Sequence, residues 1–270
     1  MDPHPRSPVG PAPADLAALV ARLRAAGCVF AEEEAALLIA EAGSADELDA
    51  MVARRVEGLP LEQVVGWAEF CGLRIAVEPG VFVPRRRTSL LVSEAARSAS
   101  AGAVVLDLCS GSGAIGVAVA SALGGVELHA VDVDPVAVRC ARRNVEPVGG
   151  TVYEGDLDAP LPESLRGRVE LVVACPPYVP TSSLRLMPPE AREHESRVAL
   201  DGGADGLDVV RRLVAVAAGW LAPGGHLLVE SSEPQAEATV DLFEQHGLLA
   251  RIASSDDLGA TVVIGTRSVV

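Results

Sequence analysis

The chain has 270 residues, of which 49% are hydrophobic and 22% are charged. This composition is typical of a globular protein with a full core and excludes a disordered chain. The 22 basic residues, all arginine, and 37 acidic residues give a net charge of -15, so we expect nucleic acid to be a poor partner. No apolar run reaches the roughly 18 to 20 residues that span a bilayer, so we expect no membrane partner.

The N-terminal segment and the cysteines indicate a cytoplasmic protein. Residues 1–13 are rich in proline and lack the basic and apolar regions of a secretory signal, so they predict a disordered tail. The five cysteines are odd in number and form no C-x-x-C pair, which disfavours both a disulfide framework and a zinc site. The histidines also lack ligand spacing, so we expect no metal.

Residues 14–66 predict a small helical domain. Apolar residues recur three or four positions apart in three successive segments of residues 14–57, and Ser44 with Glu47 forms a capping-box pattern. Residues 67–84 predict a connector that contains a β-hairpin.

Residues 85–270 predict an α/β domain in which strands and helices alternate. The strand patterns are nearly continuous runs of Val, Leu and Ile, which indicate a parallel, doubly wound sheet covered on both faces. Ligands of such sheets bind at the carboxyl ends of the strands. The predicted strands are 104–108, 127–132, 151–154, 170–175, 225–230, 249–254 and 261–266, and the helices are 114–123, 134–144, 208–220 and 234–246.

The first of these strands ends in a glycine-rich turn. Glycines at 111, 113 and 116 fit G-x-G-x-x-G, which alone would suggest a dinucleotide. Asp107 lies in the approach to this turn, where its carboxylate would repel a pyrophosphate but would suit a cationic, amino-acid-like group. The turn therefore favours S-adenosylmethionine, with a dinucleotide and a ligand-free packing turn as alternatives.

The next two strands also end in carboxylates. Asp132 can accept hydrogen bonds from ribose hydroxyls, which fits NAD and S-adenosylmethionine equally. Asp134 is better explained as the cap of the following helix, with Pro135 at its first position. Asp156 can accept from an adenine amine, although an ordinary turn aspartate explains it as well.

The fourth strand ends in the sequence ACPPYVP, residues 174–180. Its two adjacent prolines lack backbone donors but keep their carbonyl acceptors, so this corner suits an NH2 group. The ring of Tyr178 can pack on a planar amide or base. A planar nitrogen held beside a sulfonium methyl is what an in-line methyl transfer requires. A plain proline-rich turn with a core tyrosine is the alternative.

Together these motifs resemble the HemK/PrmC protein-(glutamine-N5) methyltransferases over nearly the whole chain after the tail. The resemblance implies a Rossmann-like class I methyltransferase fold behind a helical substrate-recognition domain. It also implies S-adenosylmethionine as methyl donor and a protein glutamine as acceptor, typically in a class I peptide-chain release factor. The matching segments are residues 58–63, 66, 80–85, 88, 107–115, 130–132, 176–178 and 199–207.

Site residues are carried over from this resemblance position by position. Phe82 and Arg85 are assigned to the acceptor side chain, together with the catalytic loop Cys175, Pro176, Pro177 and Tyr178. The cofactor positions are Asp107, Cys109, Gly111 and Gly113 for the methionine part, Asp132 for the ribose, Asp156 and Leu157 for the adenine, and Cys175 at the border with the acceptor.

Two departures from the family pattern fall on the acceptor side. The family's loop begins with asparagine, whose amide can both accept from and donate to a glutamine amide, whereas the Cys175 thiol does both weakly. Arginines stand at 86 and 87, and a serine at 89, where the family usually has proline and acidic residues. The resulting run of arginines at 85–87 is either a solvated surface or a means of selecting an acidic substrate.

Three functions therefore stay open. The first is methyl transfer to a protein glutamine, in a release factor or another protein. The second is adenine-N6 methyl transfer on RNA or DNA, with a flipped base stacked on Tyr178. The third is an inactive module that binds S-adenosylmethionine but has lost transfer through Cys175. The acidic charge disfavours nucleic acid, and a continuous positive groove leading to Cys175 would favour it.

Overall fold

The computed structural model of the chain describes residues 13–269, with side chains from Leu16 onward. The predicted tail, apart from its last residue, lies outside this range. The chain divides into two compact units between Val65 and Gly66. Across residues 13–269, no helix is long and apolar enough to cross a membrane.

The first unit is helical, and its three predicted helices are present. They are followed by a short fourth helix that the sequence did not indicate. Ser44 accepts a hydrogen bond from the Glu47 amide at 3.2 Å, and the Glu47 side chain reaches back to the Gly43 amide at 2.8 Å, which completes the predicted cap. The helices are α1 (Pro13–Ala25), α2 (Ala31–Glu41), α3 (Ala45–Val56) and α4 (Leu61–Val65).

The second unit begins with the predicted hairpin and continues into the α/β sheet. Its elements in chain order are β1 (Trp67–Phe70), β2 (Leu73–Ala76), α5 (Ser89–Ser98), β3 (Val104–Leu108), α6 (Ala114–Leu123), β4 (Glu127–Asp132), α7 (Pro135–Val145), β5 (Thr151–Glu154), β6 (Val169–Ala174), α8 (Pro189–His194), α9 (Asp208–Trp220), β7 (Leu221–Ser231), α10 (Ala236–Gln245), β8 (Leu248–Ser255) and β9 (Ala260–Arg267).

Within the described range these strands form a seven-stranded sheet in the order β5-β4-β3-β6-β7-β9-β8. The first five are parallel, as predicted, but β9 runs antiparallel to both of its neighbours. The prediction of an all-parallel sheet was therefore wrong at this edge. The reason is that only residues 256–259 join β8 to β9, and a parallel connection needs a dozen residues or more.

Helices cover the sheet on both faces. Residues of β3 alternate between the two cores: Val105 packs with α5, α6 and α7, whereas Leu106 and Leu108 pack with α9 and α10. Burial on both faces explains why the strands read as continuous apolar runs. The carboxyl ends of β3, β4, β5 and β6 consequently meet at one edge of the sheet.

A single side chain, Asn144 near the end of α7, ties the hairpin to the glycine-rich turn. Its Oδ1 accepts from the Ala76 amide at 2.8 Å. Its Nδ2 donates to the carbonyls of Ala76, at 2.9 Å, and Ser112, at 2.8 Å. The amide thus hydrogen-bonds the end of β2, whose only strand partner among the described residues is β1, and fixes the turn after β3.

We expect Asn144→Ala to lower the free energy of unfolding of the second unit by about 2 kcal/mol, because partly buried backbone groups lose their partners. Urea unfolding followed by tryptophan fluorescence measures this, since both tryptophans, Trp67 and Trp220, lie in this unit. The neighbouring Arg143→Ala is the control. It removes only a surface ion pair with Glu78 and should cost less than about 1 kcal/mol. Equal losses in the two variants would contradict the proposed tie.

Candidate functional site

A cavity of about 710 Å³ opens at the carboxyl ends of β3, β4, β5 and β6. The structure brings most of the sequence-predicted site residues to its wall. Asp107, Gly113 and Arg85 do not line it. The predicted residues that line the cavity are Phe82, Cys109, Gly111, Asp132, Asp156, Leu157, Cys175, Pro176, Pro177 and Tyr178.

Asp107 lies at the end of β3 and is completely buried. Its Oδ2 accepts from the Gly116 amide at 2.9 Å, whereas its buried Oδ1 has no hydrogen-bond partner among the described residues. Burial raises the pKa of this carboxyl to about 7, and the nearby Asp132 adds to the rise while the Gly116 amide opposes it. An unpaired carboxylate oxygen at this depth is costly, so the position suits a cationic partner.

Positive φ angles shape the turn after β3. Cys109, Gly111 and Gly113 have φ of 56°, 55° and 77°. A Cβ on Gly113 would lie 2.6 Å from Cγ2 of Val145, so this glycine lets the turn pack against α7 and does not itself face the cavity. Burial raises the pKa of the Cys109 thiol, which therefore stays neutral.

Asp132 holds the turn from the neighbouring strand end. Its Oδ2 accepts from the Gly111 amide at 2.7 Å and its Oδ1 from the Asp134 amide at 2.9 Å. Burial raises the pKa of this carboxyl, and the two amides partly offset the rise. Asp134 accepts from the Val136 amide at 2.8 Å and caps α7, as predicted. Each Asp132 oxygen keeps a lone pair for hydroxyl donors in the cavity.

At the end of β5, Leu157 is buried and has a φ of 50°. Its neighbour Asp156 is half exposed and forms an ion pair with Arg212 of α9. Arg212 also lines the cavity and was missed in the sequence, where it read as an ordinary helix residue. Arg212 therefore lies beside Asp156 at the position predicted to bind the adenine.

The loop of residues 175–178 is clamped from the outside by the segment that follows α8. The Gly202 amide donates to the Val179 carbonyl at 2.9 Å, and the Val179 amide donates to the Leu200 carbonyl at 3.0 Å. A Cβ on Gly202 would lie 2.8 Å from the Pro177 carbonyl oxygen. The motif at residues 199–207, noted in the sequence only as a match, therefore holds this loop in place.

Tyr178 is oriented by Arg87, which the sequence offered only as part of a charge run, and by Glu230, for which it offered no role. Arg87 Nη2 donates to the Tyr178 hydroxyl at 2.5 Å, and Arg87 Nε donates to Glu230 Oε1 at 3.1 Å. The Tyr178 hydroxyl lies 3.4 Å from the same carboxylate oxygen. Burial raises the pKa values of both Tyr178 and Cys175, so both groups stay neutral and Cys175 is no activated nucleophile.

Arg85 supports Phe82 from behind. Its guanidinium lies 4.8 Å from the centre of the Phe82 ring and donates to the buried Glu195 carboxylate at 2.6 Å. Because Arg85 does not line the cavity, its predicted contact with the acceptor would act through the Phe82 ring.

Within the part of the chain that the structure describes, the cavity wall forms no positive groove. Its three arginines, Arg87, Arg197 and Arg212, are each paired with a carboxylate. Five aspartates line the same wall, so a nucleic-acid backbone would meet net negative charge. These aspartates are Asp132, Asp134, Asp156, Asp201 and Asp208.

Comparison with known proteins gives concordant results. The methyltransferase small domain family matches residues 72–187. A protein of Geobacter sulfurreducens named release factor glutamine methyltransferase is 42% identical over 80% of this chain and 76% of its own length. A protein of Streptomyces pristinaespiralis named 4-amino-L-phenylalanine/4-methylamino-L-phenylalanine methyltransferase is 36% identical over 75% of this chain and 71% of its own. A methyltransferase structure from Pyrococcus furiosus superposes with a TM-score of 0.54 at 17% identity, covering 73% and 90% of the two chains.

The fold and the cavity at its strand ends, with these similarities, define a class I methyltransferase that uses S-adenosylmethionine to methylate nitrogen. Within that class, the chain belongs to the family of the release factor glutamine methyltransferases. The predicted α/β fold class and the predicted cofactor are thereby confirmed.

The residues present fit this cofactor. Asp107 does not line the cavity, but its buried, half-paired carboxylate would favour the ammonium of the methionine part from behind the wall, and the turn at Gly111 allows close backbone approach. The free lone pairs of Asp132 suit the ribose hydroxyls. When bound, the cofactor supplies a methyl group on a sulfonium and departs as a neutral thioether, so the site needs little acid or base help.

We expect the affinity for S-adenosylmethionine to increase as pH rises from 6 toward 7.5, because Asp107 must lose its proton to face an ammonium. The pKa of about 7 places this change in the neutral range. Above about pH 8 the affinity should fall again as the cofactor's α-amino group deprotonates. Isothermal titration calorimetry across this range, at constant ionic strength, measures both limbs.

Asp107→Asn is the matching variant. This substitution should weaken the binding of S-adenosylmethionine at pH 7.5 at least about tenfold and should abolish the increase in affinity between pH 6 and 7.5. Its melting temperature at pH 8 should not fall, because the raised pKa means that the carboxyl's contribution to stability falls as pH rises from about 4 to about 7 and is least favourable to the fold above that range. A wild-type affinity that is constant between pH 6 and 7.5 would refute this role.

Proposed function

We propose that the protein transfers a methyl group from S-adenosylmethionine to the side-chain amide nitrogen of a glutamine in another protein. A class I peptide-chain release factor is the first candidate. The carrying observation is the loop of Cys175, Pro176, Pro177 and Tyr178, which lines the cavity beside the cofactor residues and presents carbonyl acceptors without proline N–H donors. The Geobacter relative, whose printed name gives that activity, supports this choice.

Tyr178 and the prolines hold the acceptor amide in this proposal. The tyrosine ring supplies a flat surface, and its hydroxyl is fixed by Arg87 and Glu230, so the ring is pre-organised. The carbonyl groups accept from the acceptor NH2 and orient the nitrogen toward the methyl group. The amide nitrogen forms the new bond to the methyl carbon and then releases one of its two protons to solvent, so no residue needs to remove a proton before transfer.

Arg87 replaces the donor that the loop has lost at Cys175. A glutamine amide has a carbonyl oxygen that needs a donor, and a thiol is a weak one. Arg87 lines the same cavity, and within the described part of the chain its Nη1 makes no hydrogen bond. We propose that Nη1 donates to the acceptor carbonyl oxygen.

An aromatic amine is a second candidate acceptor. It has no carbonyl oxygen and would therefore tolerate Cys175 without any replacement donor. The relative from Streptomyces pristinaespiralis, 36% identical, is named for methylation of such an amine. The paired arginines and the acidic wall disfavour the adenine-N6 alternative.

We further propose that residues 14–66 recognise the acceptor protein and that the enzyme works in the cytoplasm. All five cysteines are free thiols, which suits a reducing compartment.

The function is tested with purified protein, methyl-labelled S-adenosylmethionine and three acceptors: the class I release factors of the source cell, 4-aminophenylalanine and single-stranded oligonucleotides. Label in a release factor that yields N5-methylglutamine after digestion supports the proposal, and replacing the labelled glutamine by alanine should abolish it. Label only in the amine would establish the second candidate. Absence of label in all three, despite cofactor binding, would favour the inactive module.

We expect Arg87→Met to lower kcat/KM for a glutamine acceptor at least about tenfold, because the acceptor carbonyl loses its donor and Tyr178 loses its anchor. The affinity for S-adenosylmethionine should stay within about twofold, since Arg87 is absent from the predicted cofactor contacts. Arg86→Met, an exposed neighbour with the same change of charge, is the control and should leave kcat/KM unchanged.

Adding Cys175→Asn to Arg87→Met should recover part of the lost kcat/KM, since an asparagine amide can donate to the same carbonyl oxygen. Steady-state kinetics of the four proteins in this double-mutant cycle measure the coupling. Additive effects of the two substitutions would contradict the proposal that Arg87 supplies the hydrogen-bond donor that is missing at Cys175.

A further inference from the structure

A second cavity, of about 650 Å³, shares Arg87 and Tyr178 with the first. Glu230 lies in its wall, with rim residues from the start of α10 and from the turn between β8 and β9. We call it the acidic cavity, because its lining includes Glu230, Glu233, Glu237 and Asp256. No step of the proposed methyl transfer uses it.

The charges of the acidic cavity do not cancel. Arg87 is the only cation among its lining residues, all of which lie in the described part of the chain, and it is paired with Glu230. Glu233, Glu237 and Asp256 are exposed at the rim and leave three negative charges unbalanced. The cavity therefore attracts cations and repels phosphates and carboxylates.

Glu230 adds an unfilled hydrogen-bonding position. Glu230 is only 2% exposed, and its Oε1 accepts hydrogen bonds from Arg87 Nε and from the Tyr178 hydroxyl. Its Oε2 is buried and has no partner among the described residues. A buried carboxylate oxygen without a donor is costly, so this wall of the cavity is complete only when a donor arrives.

The ligand that fits is a long cationic side chain. No three of the described His, Cys, Asp and Glu residues lie close enough together to hold a metal ion, so the carboxylates are spread too widely for a small cation. Ile252, 37% exposed, gives the cavity an apolar patch between its polar groups. Arginine and lysine match both features, because their stems cover apolar surface while the charged head reaches carboxylates.

We propose that the acidic cavity binds an arginine or lysine side chain of the acceptor protein, near the target glutamine in its sequence. This inference rests on the proposed function, because it places the glutamine in the first cavity. The shared residues Arg87 and Tyr178 make the two cavities neighbours, so one segment of acceptor chain occupies both. The charge of the acidic cavity then selects acceptors with a basic residue at one distance from the glutamine.

A set of peptides tests this selection. Each peptide contains one glutamine in an otherwise neutral sequence, and a single arginine is moved through the five positions on either side of it. The controls are an all-alanine peptide, which keeps the glutamine but has alanine in place of the arginine, and a series with glutamate in place of the arginine. Binding is measured by fluorescence anisotropy with the cofactor product present, and methylation by label transfer. We expect arginine at one or two positions to tighten binding and lower KM about three- to tenfold, with kcat unchanged and the gain reduced by salt.

The matched variants are Glu237→Gln with Asp256→Asn, and Asp241→Asn with Glu244→Gln. Both pairs remove one glutamate and one aspartate charge, but Asp241 and Glu244 are exposed on α10 outside either cavity. The first pair should abolish the advantage of the arginine peptide and leave the all-alanine peptide unaffected. The second pair should change neither.

Two results would overturn the inference: an arginine that helps at no position, or equal effects of the two variant pairs. Failure of the proposed function gives a different pattern. In that case no peptide is methylated, while the anisotropy measurement still decides whether the acidic cavity prefers arginine.

Discussion

Burial of one half-paired carboxylate, Asp107, is the constraint on which the cofactor side of the enzyme depends. The side chain is completely buried at the end of β3, and this packing leaves no room for a side chain on Gly116: a Cβ there would lie 2.9 Å from Asp107 Oδ2. The turn after β3 bends sharply and needs a positive φ at Cys109, Gly111 and Gly113. The fold tolerates an unfavourable, half-paired carboxylate at this position, as the predicted cofactor role of Asp107 requires.

The acceptor side is built differently. Backbone bonds from residues 199–203 hold the proline loop, but the Tyr178 ring depends on the side chains of Arg87 and Glu230. Side chains can be exchanged one at a time without rebuilding a turn. This difference explains how the loop can carry a cysteine at its first position while the other predicted cofactor positions match the family pattern.

The same contrast separates what the sequence could predict from what it could not. The capping box at Ser44, the glycine turn and the aspartate at the end of β4 are local, because each depends on residues a few positions apart. The Arg87–Glu230 pair joins residues 143 positions apart, so the run at 85–87 could be interpreted only as a charge cluster. In the structure, Arg85 and Arg87 are separate supports of Phe82 and Tyr178. The antiparallel β9 was missed because strand patterns carry no direction.

Placing Arg87 between two cavities has a consequence for specificity. Its guanidinium holds the Tyr178 hydroxyl and at the same time partly neutralises Glu230 in the acidic cavity. A cation entering that cavity would compete with Arg87 for the Glu230 carboxylate. Arg87 would then be freer to donate toward the acceptor carbonyl, so recognition of a neighbouring basic residue and orientation of the glutamine amide would be linked through one side chain.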